Sequence, residues 1–329
     1  MRLIVSIVVA LFAVACSSVT RVPDQTYLST PQNWDFRNRF RESDRLFNAF
    51  DYGHAKLYDV LVRHRGDSAV GEIEGKEFPY ITTKLLVHPP TLPLEERAVG
   101  PTYSRFAPEL LGVFDWAHML HRQIYDVLAD EKLDSAGRDA RVRQLILYYQ
   151  SRRDLALSTA PKSMNLMEGA TYSLVFRREH PKFNGLLWSY HWYQLVIYDA
   201  LLATHMPDGQ RRNVDAATAR FWELIATAPT HMPTTMPLAA GVSPLFAQRY
   251  PDAAIIFDNL HALHDVVADI LASPVVTFAQ KRATILRAMQ SFQDSTTEVT
   301  SRDDWRAMAL AMDVEKMGGT ATFPSVQPE

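Results

Sequence analysis

The chain has 329 residues and a formal net charge of −3 at neutral pH, a balance that predicts no nucleic-acid partner. Glycine is sparse, at 13 residues, and alternating runs of β-branched residues are rare, so β-sandwiches and β-barrels are not expected. The length suffices for one large domain or two small ones with a full hydrophobic core.

The first fifteen residues have the pattern of a signal peptide. Arg2 precedes an apolar run, interrupted only by Ser6, which is too short to span a membrane and ends in small residues. The sequence Ala13-Val14-Ala15-Cys16 then resembles a lipobox, the motif at which bacterial lipoprotein precursors are lipidated and cleaved. An ordinary signal peptide followed by an incidental cysteine is the alternative interpretation.

The resemblance to bacterial lipoproteins implies removal of residues 1–15 and lipid attachment to Cys16, the only cysteine in the chain. Ser17 follows the cysteine, where an Asp usually signals retention in the inner membrane, so the resemblance implies an outer-membrane protein facing the periplasm. Residues 16–32 are polar and contain two prolines, which predicts a tether between lipid and domain. The membrane, contacted through the lipid, is therefore the one partner predicted.

Helical patterns dominate from residue 33 onward, and they predict a single all-α domain over residues 33–329, folded as a helical bundle. Residues 66–101 hold the only strand-like pieces, which predict a short irregular or strand-like insertion. The predicted helices are 34–64, 104–131, 134–158, 165–179, 183–205, 213–227, 252–273, 277–295 and 301–317.

An internal repeat links four of these helices. The pattern Phe-Asp-x-x-His occurs three times, at residues 50–54, 114–118 and 257–261. Each copy is followed by a related tail, and a fourth helix shares the tail alone; the tails are Tyr58-Asp59-Val60-Leu61, Tyr125-Asp126-Val127-Leu128, Tyr198-Asp199-Ala200-Leu201 and Ala268-Asp269-Ile270-Leu271. Repetition at this spacing predicts four related core helices.

Two registers are compatible with the repeat. Alignment on the tails gives each helix one polar position eight residues before the tail aspartate and another five residues before it. The first layer is Asp51, His118, His191 and His261, and the second is His54, His121, Gln194 and His264. A third layer is Tyr58, Tyr125 and Tyr198. Direct alignment of the Phe-Asp-x-x-His copies leaves the first helix a turn shorter, and the sequence leaves both registers open.

The histidine-rich layers predict a transition-metal site. Burial of several imidazoles is costly unless each is hydrogen-bonded or ligated, and helical bundles build metal sites from inward-facing imidazoles and carboxylates. The predicted ligands are His54, His118, His121, His191, His261, His264, Asp51, Asp115 and Asp258, with Tyr58, Tyr125 and Tyr198 as hydrogen-bonding partners behind them. Nitrogen and oxygen ligands without cysteine indicate iron, copper, manganese or zinc, and redox activity is left open.

Two alternatives stay open at this point. A non-covalent haem between two histidines is one, since the absence of Cys-x-x-Cys-His excludes only covalent attachment. A non-enzymatic envelope lipoprotein, acting as a scaffold or partner-binding module with a structural repeat, is the other. No nucleotide cofactor is expected because phosphate-binding glycine motifs are absent, and no hydrolase or zincin motif indicates catalytic residues.

Overall fold

The computed structural model describes residues 30–231 and 235–312. The predicted signal peptide, Cys16, most of the predicted tether and the last 17 residues of the predicted domain lie outside the described residues. Among the helices that are described, none combines the length and apolar character needed to cross a membrane.

The described residues are mainly helical and contain no strand, which confirms the predicted all-α bundle. In chain order the helices are α1 (Asp35–Arg39), α2 (Arg41–Arg63), α3 (Asp67–Glu72), α4 (Phe78–Tyr80), α5 (Glu96–Val99), α6 (Pro101–Phe106), α7 (Pro108–Ala129), α8 (Ser135–Ser151), α9 (Asn165–Glu168), α10 (Val175–Glu179), α11 (Pro181–Leu202), α12 (Pro207–His231), α13 (Ala239–Val242), α14 (Pro244–Arg249), α15 (Pro251–Ala272), α16 (Phe278–Gln293) and α17 (Arg302–Ala311).

The segment expected to be irregular or strand-like is instead helical over most of its first half. Two π-helical stretches, Ile73–Glu77 and Ile81–Leu85, flank α4 and continue from α3. Ile73, Ile81 and Leu85 are buried, and their spacing places them on one side of a helix that contacts α2 and α11. Packing of this face outweighs the β propensity of its isoleucines and threonines, which is why composition was misleading here.

The core is built from four units, each a short helix followed by a long one. The pairs are α1–α2, α6–α7, α10–α11 and α14–α15. The single residue between the two helices has φ between −124° and −139° and ψ between 57° and 65° in all four units; these residues are Phe40, Ala107, His180 and Tyr250.

Proline explains three of these four breaks. Pro108, Pro181 and Pro251 each occupy the first position of a long helix, where the missing N–H costs no hydrogen bond. The residue before a proline is driven out of the α region by steric clash, so the preceding short helix must end there. The predicted helices 34–64 and 104–131 missed the breaks at Phe40 and Ala107.

The tail alignment is the register of the structure. Every long helix begins eighteen residues before its tail aspartate, as the pairs Arg41 and Asp59, Pro108 and Asp126, Pro181 and Asp199, and Pro251 and Asp269 show. The first long helix is therefore not a turn shorter than the others, and the two polar layers lie at equivalent depths in all four.

The tail aspartates connect the units in pairs. Asp59 of α2 accepts hydrogen bonds from backbone N–H groups that open α6, and Asp126 of α7 accepts one from Phe36 of α1. Asp199 of α11 likewise accepts from the start of α14, and Asp269 of α15 from the start of α10. The first two units thus cap one another, as do the last two, and each carboxylate satisfies N–H groups left unpaired at a helix start.

Candidate metal centre

All six histidines of the two predicted layers lie in one buried cluster between the four long helices. They are contributed by α2, α7, α11 and α15, and five of them are at most 2% exposed. Their rings form a continuous series of neighbours, with centroid separations of 5.5 Å for His118–His264, 4.1 Å for His264–His54, 5.1 Å for His54–His191, 4.1 Å for His191–His261 and 5.7 Å for His261–His121.

Three of these rings converge closely enough to share one ion. His54, His191 and His264 each offer a ring nitrogen, and the three nitrogens lie within 4.8 Å of one another. The Nε2 atoms of His54 and His191 are 3.1 Å apart. Two nitrogens at about 2.0–2.1 Å from a common metal ion reach that separation when the angle at the ion is about 95–100°, which is an ordinary coordination angle.

The contact with Met236 favours the tautomer of His191 that carries its hydrogen on Nδ1. Its Sδ atom lies 2.6 Å from His191 Nδ1 and accepts the hydrogen of that nitrogen, because a thioether sulfur has no hydrogen to donate. The lone pair of His191 is therefore on Nε2, the atom directed at His54. Met236 lies outside the repeats, and the repeat pattern carries no signal for this role.

A hydrogen-bonded chain orients His121 in the same manner. Tyr125 donates to the backbone carbonyl of Gln194, and Tyr198 donates to the Tyr125 hydroxyl. The Tyr198 oxygen, 2.6 Å from His121 Nδ1, is then left as the acceptor of the imidazole hydrogen. The Nε2 atom of His121 carries the lone pair and has no hydrogen-bond partner.

The remaining tyrosine of the third layer acts on the backbone. Tyr58 donates a hydrogen bond of 3.0 Å to the carbonyl oxygen of His264, and its ring lies against Phe114 and Tyr103. It therefore holds the α15 backbone at the position from which His264 projects.

Several imidazole nitrogens in the cluster lack any partner in the described structure. Both ring nitrogens of His261 and both of His264 are buried without a hydrogen bond, in addition to His121 Nε2. Each such group costs about 1–3 kcal/mol when desolvated and left unpaired. Ligation of a metal ion would remove part of this cost, so the chemistry of these residues suits a bound metal ion.

The cluster holds its histidines in the form that binds metals. Burial, followed by the proximity of His118, lowers the pKa of His54 to about 3. Burial also lowers the pKa of His121, His191, His261 and His264 well below the usual range, and neighbouring histidines add to the effect. The imidazoles are thus neutral at physiological pH, with lone pairs available as ligands.

The three predicted aspartate ligands have different positions. Asp51 lies beside His118, with 3.8 Å between Oδ1 and Nδ1, and Asp115 is on the same cavity wall. Burial, followed by the charge of Asp51, raises the pKa of Asp115 to about 7. Asp258 is not brought to this region, because its carboxylate accepts hydrogen bonds from the Ala239 N–H and the Trp305 indole.

A cavity of about 550 Å³ borders the histidine cluster, and His118 is part of its wall. Glu96 lines it as well, and the ligand atoms of Asp51, Glu96 and His118 lie within 4.8 Å of one another. Glu96 was missed by sequence reasoning because it lies in the segment 66–101, where no repeat or helical pattern marked it.

No protein-family model, no curated protein and no solved structure matches this chain.

Proposed function

We propose that this protein is an exported, lipid-anchored metalloprotein that binds a transition-metal ion through His54, His191 and His264. The observation that carries the proposal is the convergence of six buried imidazoles from four helices, with five of their ring nitrogens lacking a hydrogen-bond partner. Packing alone offers no compensation for these nitrogens, whereas an ion bound at this group ligates one nitrogen of His264 and removes part of the cost.

The donor set favours copper, iron or zinc, since neutral imidazole suits these ions while manganese prefers oxygen ligands. When bound, such an ion supplies Lewis acidity or, for copper and iron, one-electron redox chemistry. The chain's own residues orient the donors: Met236 directs the lone pair of His191, and Tyr58 holds the backbone of His264.

The geometry supports haem less well than a bare ion. Two axial imidazoles on opposite faces of an iron have Nε2 atoms about 4 Å apart, twice the usual metal–nitrogen length. His54 and His191 approach to 3.1 Å, and the rings of His54–His264 and His191–His261 stack with centroids 4.1 Å apart. No gap for a macrocycle exists between these stacked rings.

The alternative, a structural repeat in a scaffold protein, accounts for the tail aspartates of the repeat but not for its histidines. The tail aspartates cap helix starts in neighbouring units, which is a packing role. The histidines take no part in these caps, so the scaffold interpretation does not explain the buried histidine cluster.

The anchor and the location complete the proposal. The resemblance of residues 13–16 to a lipobox supports lipid attachment at Cys16, and Ser17 supports the outer membrane, with the domain facing the periplasm.

Elemental analysis of the full chain purified from membranes tests the metal centre. We expect the wild-type protein to carry copper, iron or zinc and the double variant His54→Gln, His191→Gln to lose it. The matched control is His180→Gln, which alters a buried histidine outside the cluster and should retain the ion.

Thermal melting supplies a second measurement that does not depend on metal retention during purification. After chelation, the same ion should raise the melting temperature of the wild type, since a ligand at a hundred times its Kd adds about 2.7 kcal/mol. A wild-type protein that contains no metal and whose melting midpoint no metal raises would contradict the proposal.

A further inference from the structure

The cavity beside the histidine cluster has acidic walls. It is lined by residues of α2 and α7, by the segment 93–97 and by residues near α1. Six carboxylates and three guanidinium groups face it: Asp44, Asp51, Glu95, Glu96, Asp115 and Asp126 against Arg37, Arg97 and Arg122. The excess of negative charge favours a cationic occupant.

Internal partners account for two of these carboxylates. Asp44 lies 2.9 Å from Arg37 and 3.8 Å from Arg122, and Asp126 caps Phe36 at the start of α1. Asp51 also lies 3.8 Å from Arg122, a separation longer than a hydrogen bond.

Glu96 is a buried carboxylate with an unpartnered oxygen atom at the cavity wall. It is only 6% exposed, and its Oε2 atom has no hydrogen-bond partner. Burial raises its pKa well above the usual range, and the charges of Asp51 and Asp115 raise it further. A buried carboxylate that faces two others requires either a proton or a cation.

Asp51, Glu96 and His118 have the arrangement of a coordination site. Their ligand atoms lie within 4.8 Å of one another and come from α2, α5 and α7, so an ion would join three separate helices. Asp115, one turn before His118 on α7, lies on the same wall. None of these residues belongs to the group formed by His54, His191 and His264.

We propose that Asp51, Glu96 and His118 form a second metal site, which binds a divalent first-row transition-metal ion at the wall of the cavity. Two carboxylates and one imidazole suit Mn²⁺, Fe²⁺ or Zn²⁺, whereas the buried site has nitrogen donors only. The cavity leaves the remaining coordination positions open to water. The ring centroids of His118 and His264 are 5.5 Å apart, so the two sites are neighbours.

Binding of Mn²⁺ to the metal-stripped full chain tests this site, because Mn²⁺ favours its oxygen ligands over the all-imidazole site. We expect one Mn²⁺ per chain in the wild type, measured by electron paramagnetic resonance, and at least tenfold weaker binding in Glu96→Gln. The matched control is Glu95→Gln, which removes the same charge from an exposed neighbour on the same wall and should bind Mn²⁺ almost as the wild type does.

A spectroscopic measurement on the wild type keeps the test independent of how the variants fold. Bound Mn²⁺ should show nitrogen hyperfine coupling from a single imidazole, that of His118. Coupling from three imidazoles, equal weakening in both glutamate variants, or the absence of Mn²⁺ binding would overturn the proposal.

The second site does not depend on the first. Loss of Mn²⁺ in Glu96→Gln but not in the His54→Gln, His191→Gln double variant supports the second site. This holds whether or not the site formed by His54, His191 and His264 binds a metal ion. Loss in the double variant alone would overturn the second site and leave the buried centre standing.

Discussion

The Nε2 atoms of His54 and His191 lie 3.1 Å apart in the protein core, although 137 positions separate the two residues in the chain. The contact joins α2 of the first unit to α11 of the third. These two units do not exchange aspartate caps, since the first is paired with the second and the third with the fourth. The histidine cluster is therefore where the two capped pairs meet.

The buried histidines should make the metal-free protein sensitive to acid. In the unfolded chain a histidine takes up its proton near pH 6.5, whereas burial lowers the pKa of His54 in the folded chain to about 3. Below pH 6.5 the unfolded state thus binds more protons, and the free energy of unfolding falls by about 1.4 kcal/mol per pH unit for each such histidine. Because the pKa values of His121, His191, His261 and His264 shift in the same direction, the five histidines together contribute a loss of several kcal/mol between pH 7 and pH 5.5. Buried carboxylates with raised pKa values contribute in the opposite direction, Asp115 and Asp258 at about 7 among them, so the effect of a histidine is measured as a difference between wild type and variant.

Urea denaturation of chelator-treated protein at several pH values measures this loss. The variant His261→Gln provides the comparison, because it removes one group that must stay neutral and should therefore flatten the dependence on pH. The same dependence of the free energy of unfolding on pH in wild type and His261→Gln would show that the fold does not hold the His261 imidazole neutral.

The tail aspartates should contribute to stability independently of the metal. Asp199 accepts hydrogen bonds from the Ser243 hydroxyl at 2.6 Å and from the N–H groups of Leu245 and Phe246 at 3.1 Å and 2.9 Å. Asp199→Asn replaces one acceptor oxygen by an NH₂ group that faces these donors. We expect a loss of about 1–3 kcal/mol in the free energy of unfolding, the cost of buried donors left unpaired.

Chemical denaturation of metal-free protein tests the role of this cap. Asp215→Asn, which makes the same change at an exposed position of α12, should alter stability by less than about 0.5 kcal/mol. Equal effects of the two substitutions would mean that the caps contribute nothing specific. A lower metal content in Asp199→Asn at full folding would instead assign Asp199 to the metal centre.

Cys16 and Ser17 allow separate tests of anchoring and location. Cys16→Ser should abolish incorporation of a radiolabelled fatty acid, because it removes the thiol that carries the lipid. Ser17→Asp should keep the label but shift the protein to the inner-membrane fraction. Equal labelling of wild type and Cys16→Ser would contradict the predicted anchor.

The sequence alone determined the properties that depend on local spacing. The helical periodicity, the four related tails and the histidine-rich polar positions eight and five residues before each tail aspartate all follow from positions along single helices. The breaks before Pro108, Pro181 and Pro251 are local as well. An aromatic residue lies five positions before each of these prolines, as Phe176 does before Pro181, and this repeated spacing is a sequence signal for the short helices.

Only the tertiary structure decided which residues meet. Asp258 shares its motif with Asp51 and Asp115, yet it caps α13 and binds Trp305, while Glu96 enters the cavity from a segment without any repeat. Helical spacing determines the face on which a side chain lies, but the partner across that face depends on how helices distant in sequence cross. The crossing of these helices is determined by packing of the whole core, and no local sequence pattern predicts it.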